Sequence, residues 1–183
     1  PRDLAIEDAE ARQFLATLPK TLPERPKAIL MISAHWERLR PAVSAPPANE
    51  TIHDFGGFPP ALYQIQYPAP PSADLARRVA ELLGASGLPT DIDQRRGLDH
   101  GAWVPLMVAW PDADVPVGQL SVQTQLGPAH NYQLGQILAP LREEGILIIG
   151  SGSFTHDLAS FRSSGGRIDA PEPDWVHAFA EWM

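Results

Sequence analysis

The sequence predicts a layered α/β/α domain with a largely parallel or mixed central sheet. Three short apolar runs, AILMIS, VPVGQLSV and GILIIG, are typical of strands that are covered on both faces. Amphipathic segments alternate with these runs and predict helices packed on the sheet. The length of 183 residues favours one domain. Because the chain begins at Pro1 and ends at Met183 inside a predicted helix, we expect one domain over residues 1–183 that lacks short segments at both ends.

The first elements are a helix and a strand. Apolar residues at near-helical spacing predict a helix over Leu4–Leu18, with its acidic residues early, where the helix dipole favours them. Pro19 and the two prolines that follow it are expected to end this helix. The run Ala28–Ser33 predicts the first strand.

A long segment without clear periodicity follows. Residues Pro41–Pro71 are rich in proline, glycine and aromatic residues, which predicts a long structured loop with a functional role. The segment Asp74–Leu83 then predicts an amphipathic helix, with Ser72 as its N-terminal cap and Gly84 at its end.

The rest of the chain continues the alternation of strands and helices. The predicted elements are a short apolar helix within Gly97–Trp110, a strand over Val115–Val122, a helix over Tyr132–Leu141, a strand over Gly145–Gly150 and a helix over Pro173–Met183.

The composition excludes several classes of protein. The chain has 14 Lys and Arg residues against 22 Asp and Glu residues, and without a basic run it is not expected to bind nucleic acid. It has no apolar stretch long enough to span a membrane, so we expect no membrane partner. The absence of cysteine removes disulfides and thiolate chemistry, and a cytoplasmic location is the expectation that fits.

Histidines follow two of the predicted strands. His35 comes shortly after AILMIS, and His156 comes after GILIIG through the small residues of SGSFT. Ligands of open α/β sheets bind beyond the carboxyl ends of the strands, so these two side chains are expected in one crevice. His53 and His100 lie in glycine-containing loops, and the neighbouring Asp54, Asp99 and Asp157 could orient imidazole rings.

This pattern favours a metal site. Imidazole suits iron, zinc, copper and nickel, and a shell of histidine and carboxylate that leaves open positions fits catalysis. The spacing alone leaves alternatives open. His130 and His177 fit surface or packing roles, Gly150–Ser153 could cradle a phosphate, and Ser151 or Ser153 could act as a nucleophile beside His156.

Five blocks of sequence carry a resemblance to a known family. SAHWE, TIHDFGGFPPALYQIQYPAP, GLDHGAWVPL, PDADVPVGQLSV and GSGSFTHDL occur in this order between about Ala28 and Leu158. They resemble the class III extradiol ring-cleaving dioxygenases, and within them the branch that is similar to DOPA dioxygenase. The resemblance implies an α/β fold and a catalytic domain that opens a catechol ring with O2 at a mononuclear non-haem metal, Fe(2+) or alternatively Zn(2+).

The resemblance also implies roles for particular residues. His35 matches a metal ligand, and His156 matches a histidine that acts as acid and base or as a further metal ligand. His100 matches a histidine beside the substrate and oxygen pocket, where it would donate a hydrogen bond. His53 is placed at the edge of the substrate pocket. Aromatic side chains could line that pocket or simply pack in the core: Trp36, Phe55, Phe58 and Trp103.

Two features of the family are missing from these 183 residues. The family has an HGSP-type segment near its N-terminus and a ligand in its C-terminal region, and each supplies one metal contact. The alternative functions are a zinc-dependent hydrolase and a binding protein with a decayed site on the same fold. The expected partners are a small catechol and O2, and a homo-oligomer is left open.

Overall fold

The computed structural model describes residues 9–153, 156, 158–163, 165, 171 and 173–183. It divides the chain into two compact units, Pro1–Gly152 and Ser153–Met183. The first unit contains the sheet, and each unit is described by itself.

The first unit is built on a mixed five-stranded sheet, so the predicted α/β class is confirmed. The strands are β1 (Ala28–Glu37), β2 (Ala42–Ser44), β3 (Asp91–Asp93), β4 (Val117–Val122) and β5 (Ile146–Ser151). Their spatial order is β3-β2-β4-β1-β5. Strand β1 pairs in parallel with both β4 and β5, whereas β2 runs antiparallel to β4 and parallel to β3.

The described residues also form helices. The helices are α1 (Ala9–Thr21), α2 (Ala73–Ala85), α3 (His100–Ala109), α4 (Gly127–Leu138), α5 (Leu158–Ser163) and α6 (Asp174–Trp182). Short 3-10 helices cover Pro60–Gln64, Thr124–Leu126 and Ala139–Glu144. Among the described residues, no helix is both long and apolar enough to cross a lipid bilayer.

The apolar character of β1 follows from its central position. Ile29 and Met31 pack with Trp103 and other residues of α3 on one face of the sheet. Ala28 and Leu30 pack on the opposite face, in a second core that contains residues of α2 and α4. Successive side chains of a strand point to opposite faces, so a strand covered on both sides reads as a continuous apolar run. This is the layered arrangement that the sequence predicts.

Strand β1 is longer than the predicted strand. It continues through His35 to Glu37, and its pairing with β4 shifts register between Ile32 and Glu37. His35 therefore lies within the last residues of the strand and not after its end. Because this extension contains polar residues, the apolar run in the sequence does not reveal it.

Other expectations about element boundaries are wrong in detail. The segment predicted to be a long loop contains β2 and a 3-10 helix, and β3 was not predicted at all. Strands of three residues are too short to show the alternation that identifies a strand. Helix α2 has Ser72 as its cap, with Ser72 Oγ accepting from the Leu75 amide, but it continues past Gly84 to Ala85.

Prolines also behave differently from the prediction. Pro19 was expected to end the first helix but lies inside α1, which continues to Thr21. A proline in the last turn removes one hydrogen bond without stopping the turn that is already formed. Helix α4 begins earlier than predicted, at Gly127, because Pro128 in its first turn is compatible with a helix start.

The second unit contains α5 and α6. Helix α6 confirms the predicted C-terminal helix and leaves aromatic side chains exposed, with Phe179 and Trp182 stacked at a ring-centroid distance of 5.7 Å. His177 forms an ion-pair contact with Glu181, consistent with its predicted surface role.

Candidate active site

Strand β1 delivers His35 to the face of the sheet that packs against α3. Ile29, Met31 and Ser33 are buried, and the first two contact the α3 core. His35 continues this odd-numbered series, so the period of two directs it to the same face. The backbone N–H of His35 donates to Ser33 Oγ at 3.1 Å, which holds the end of the strand in this conformation.

Helix α3 delivers His100. The helix begins at His100, because the preceding Asp99 is its N-terminal cap and accepts a hydrogen bond from the Ala102 amide at 3.2 Å. The imidazole rings of His35 and His100 lie with their centroids 4.1 Å apart. Two histidines separated by 65 positions in the sequence numbering are thus adjacent at the carboxyl end of the parallel strands.

Gly101 permits this close approach of helix and strand. A Cβ atom at Gly101 would overlap Ser33 Oγ and would lie 3.2 Å from both Asp99 Oδ1 and His35 Cδ2. The absence of a side chain at this position therefore lets the first turn of α3 rest directly on β1.

Asp54 lies beside both imidazoles. Its Oδ1 accepts hydrogen bonds from the His100 backbone N–H at 2.9 Å and from His100 Nδ1 at 2.8 Å. Its Oδ2 lies 3.6 Å from His35 Nδ1. An ionised carboxylate only accepts, so His100 carries a proton on Nδ1, and Nε2 is the ring atom through which it can meet a ligand.

These three residues could hold a metal ion. His35, Asp54 and His100 each offer one ligand atom, and these atoms lie within 4.8 Å of one another. The side chains are 33%, 25% and 20% exposed, respectively, so the group remains open to a ligand from solvent. Two imidazole nitrogens and a carboxylate oxygen form a donor set that suits iron or zinc.

The carboxylate of Asp54 is kept charged by His100. Burial raises the pKa of Asp54, but hydrogen bonds from the His100 backbone N–H and imidazole outweigh it, so that the pKa lies below its ordinary value. A carboxylate held in this state can orient an imidazole or bind a cation directly.

Aromatic rings line one side of the three-residue cluster. Phe55 meets the His100 ring edge-on at a centroid distance of 5.6 Å. His53 lies farther back, where Nε2 is 3.0 Å from the Ile65 carbonyl oxygen and the ring meets Trp103 at 5.7 Å. Because a carbonyl oxygen only accepts, this contact fixes a proton on His53 Nε2. The structure thus brings Phe55 to the cluster directly and His53 one layer behind it.

The two tryptophans of the predicted pocket are deeply buried. Trp103 has no exposed surface, and its Nε1–H donates to the Ile52 carbonyl oxygen at 2.9 Å. Trp36 is also buried, and the guanidinium of Arg96 lies over its ring at 5.3 Å from the centroid. The Trp103 ring contacts His53 and Phe55 at the site, and the role of both tryptophans as substrate contacts stays a prediction.

The remaining predicted site residue, His156, belongs to the second unit. It is exposed, and its predicted role as acid, base or metal ligand stays a prediction. Asp157, which was expected to orient it, lies outside the described residues. Of the other aspartates expected to orient an imidazole, Asp54 contacts His100, whereas the Asp99 carboxylate contacts Ala102, Arg96 and Gln119.

Sequence reasoning missed part of this arrangement. It treated Asp54 only as a partner of a histidine, whereas the structure makes it a candidate ligand in its own right. It also gave no role to Arg96 or Gln119. The signal for Asp54 was its place directly after His53 in IHDFGGFP, but no local pattern marks the other two.

Comparisons with known proteins give the same family. A family described as the catalytic LigB subunit of aromatic ring-opening dioxygenase matches residues 7–180. The chain is 50% identical over 183 residues to a 4,5-DOPA dioxygenase extradiol of Beta vulgaris, covering 98% of this chain and 67% of the relative. It is 43% identical over 179 residues to the Escherichia coli protein of the same name, covering 97% of this chain and 64% of that relative.

A solved structure shares the fold. The crystal structure of an uncharacterized protein from Escherichia coli K12 superposes with a TM-score of 0.68 at 37% identity, covering 84% of this chain and 57% of that chain. A further 4,5-DOPA dioxygenase extradiol, from Mirabilis jalapa, is 49% identical over 146 residues, covering 79% of this chain and 55% of that relative. The chain therefore spans between about half and two thirds of the length of these proteins.

The contact of Gly101 with β1 can be tested by adding one methyl group. We expect Gly101→Ala to cost about 1–3 kcal/mol in free energy of unfolding, because the new Cβ forces Ser33 or the start of α3 to move. Gly135→Ala in α4 is the control, since its Cβ would meet nothing within 4 Å and the change should stabilise the protein by up to about 1 kcal/mol. Urea unfolding measures both values, and equal stability of the two variants would contradict this account of Gly101.

The charged state of Asp54 predicts a pH dependence. A carboxylate with a lowered pKa stabilises the folded protein above its unfolded pKa of about 3.9, and this stabilisation disappears as pH falls through the folded pKa. With metal removed by a chelator, we expect the stability advantage of the native protein over Asp54→Asn to be full at pH 6 and to shrink below about pH 4. Thermal unfolding from pH 6 to pH 3 measures it, with exposed Asp112→Asn as the control. A stability advantage of the native protein over Asp54→Asn that grows as the pH falls would contradict a lowered pKa of Asp54.

Proposed function

Since the chain belongs to the LigB family of aromatic ring-opening dioxygenases, we propose that the whole protein is an extradiol ring-cleaving dioxygenase. It inserts O2 into a catechol-type substrate at a mononuclear non-haem metal. The relatives named as extradiol dioxygenases, at 43% to 50% identity, support this function over a zinc-dependent hydrolase or a binding protein with a decayed site.

The observation that carries the proposal is the cluster of His35, Asp54 and His100. Its members come from three of the motifs that resemble the family, SAHWE, IHDFGGFP and LDHGAW. They meet at the carboxyl ends of parallel strands, the edge of α/β sheets where ligands bind, with ligating atoms close enough to share one ion.

We propose His35 and His156 as metal ligands supplied by this chain. Asp54 can contribute to the metal site in two ways. Its oxygens can bind a cation, and its hydrogen bond to His100 Nδ1 orients that ring. Fe(2+) is the proposed metal, with Zn(2+) as the alternative. When bound, iron supplies the electron transfer between catechol and oxygen that zinc, which has no redox chemistry, cannot provide.

The proposed proton transfers belong to histidine side chains. His156 removes a proton from the catechol and returns one during ring opening, because an imidazole can act both as a general base and as a general acid. His100 contacts the substrate or oxygen through Nε2, since Nδ1 is held by Asp54. The carboxylate thus fixes both the tautomer and the orientation of the ring.

Aromatic side chains are proposed to orient the substrate ring. Phe55 is the aromatic residue in edge contact with His100, and we propose that it forms the wall nearest the substrate. His53, Trp36 and Trp103 complete the proposed substrate-binding set. The names of the relatives make DOPA the first catechol to test.

Other predictions concern the protein as a whole. A single catalytic domain over residues 1–183 and a cytoplasmic location stay predictions, and a homo-oligomer stays open.

The function is tested by ring opening in the full-length protein. Loaded anaerobically with Fe(2+) and then given O2 and DOPA or another catechol, the protein should consume O2 and form a yellow ring-opened product in equal amounts. The Zn(2+)-loaded protein is the control and should consume none. Absence of O2 uptake across a catechol panel, at confirmed iron occupancy, would refute the proposal.

The role of His156 is tested by truncation of its side chain. We expect His156→Ala to lower kcat at least about 100-fold, because a positioned acid or base contributes about that much. Exposed His177→Ala on α6 is the control and should leave kcat unchanged. Metal analysis of the same samples separates two roles: retained iron identifies an acid or base, and lost iron identifies a ligand.

A further inference from the structure

We propose that Arg96 is a positioning residue that holds His35 and His100 at their working separation, acting through Asp99 and Trp36. This inference rests on the proposed function, because it concerns the same site. It assigns a role to a charged network behind the two histidines that the sequence did not single out.

Asp99 is the first member of this network. It immediately precedes His100, has no exposed surface, and is the N-terminal cap of α3. Its Oδ2 accepts a hydrogen bond from Arg96 Nη2 at 2.8 Å and a second one from Gln119 Nε2 on β4. A buried carboxylate without a cation is strongly unfavourable, so the position of Asp99 depends on Arg96. The start of α3, and with it His100, is therefore tied to Arg96.

Trp36 connects Arg96 to the other histidine. It directly follows His35 on β1, and its ring lies beneath the Arg96 guanidinium at 5.3 Å. Arginine combines a planar hydrogen-bonding fork with a face that stacks on aromatic rings, so one side chain can make both contacts. Arg96 thus joins the residue before His100 to the residue after His35.

The backbone of Arg96 is itself fixed. Asp93, at the end of β3, accepts hydrogen bonds through Oδ1 from the amides of Arg95 at 2.9 Å and Arg96 at 3.0 Å. Gln119 is held in the sheet as well, because its backbone N–H donates to Ser44 Oγ on β2 at 2.8 Å. The guanidinium therefore extends from an anchored loop, and the side chain is only 22% exposed.

Lysine cannot reproduce this arrangement. Its ammonium can pair with Asp99 or lie over Trp36, but it lacks the planar group whose edge binds a carboxylate while its face stacks on a ring. A positioning role therefore predicts a graded series in which Arg96→Lys retains part of the function and Arg96→Met retains less.

The experiment uses the full-length protein with four changes. Arg96→Met and Arg96→Lys alter the guanidinium, and Asp99→Asn removes the charge while keeping a residue that caps helices well. Arg78→Met is the control, because Arg78 also pairs with a carboxylate, that of Glu144, but on the α2 side of the sheet. One readout is Tm. The others, measured well below each Tm, are the Kd for Co(2+) from absorption, and kcat and KM for a catechol with Fe(2+).

We expect Arg96→Met and Asp99→Asn to lower kcat about 10- to 100-fold and to raise the Kd for Co(2+) about 10-fold, with KM little changed. Arg96→Lys should lie between these variants and the native protein, and Arg78→Met should match the native protein in kcat and Kd. If Arg96→Met does not fold, Asp99→Asn and Arg96→Lys carry the same comparison.

Two results would overturn the inference. One is a lowered Tm in the Arg96 and Asp99 variants with kcat and Kd equal to those of Arg78→Met, which indicates a purely structural role. The other is Arg96→Lys with the same loss as Arg96→Met. Failure of the proposed function can be distinguished from failure of this inference. A native protein without ring-opening activity still yields the Kd for Co(2+), and the graded loss of Co(2+) binding across the variants then decides the role of Arg96.

Discussion

The contact between the first turn of α3 and the end of β1 is the constraint on which the rest of the site depends. Gly101 makes it sterically feasible, because a side chain there would overlap Ser33. Asp54 reinforces it by hydrogen bonding to the backbone and ring of His100 while lying near His35. The sheet supplies the rigid side of this contact, since β1 is central, paired on both edges and buried on both faces. A site built on such elements keeps its geometry better than one built from loops alone.

Two carboxylates have different electrostatic roles in this region. Asp54 is partly exposed and faces the imidazoles, where its charge can serve a cation or orient a ring. Asp99 is fully buried, and its charge is balanced by Arg96 and by hydrogen bonds from Gln119 and the Ala102 amide. The negative charge that faces the open site is thus separate from the one that fixes the helix behind it. The net charge of −8 reveals neither role, because local arrangement determines them.

The family assignment and the geometry of the site are two separate observations that agree. The match to the LigB family covers residues 7–180, and it says nothing by itself about which side chains meet. The geometry brings together His35, Asp54 and His100 from three separated motifs, and a cluster of imidazole and carboxylate is what a non-haem metal requires. The chain spans between about half and two thirds of the length of these relatives, and the set of metal ligands stays a prediction.

The sequence by itself determined the fold class, the three longer strands β1, β4 and β5, and most of the candidate residues. Buried parallel strands are continuous apolar runs, helix caps follow residue type, and the motifs around His35, His53 and His100 are local in the chain. The tertiary structure alone decided the extension of β1 to Glu37, the short strands β2 and β3, and the joining of Asp54 to both imidazoles. It also revealed the link from Arg96 to Asp99, Gln119 and Trp36. These features depend on residues far apart in the chain. They escape prediction because packing and burial determine which distant side chains meet, and local sequence patterns do not encode packing or burial.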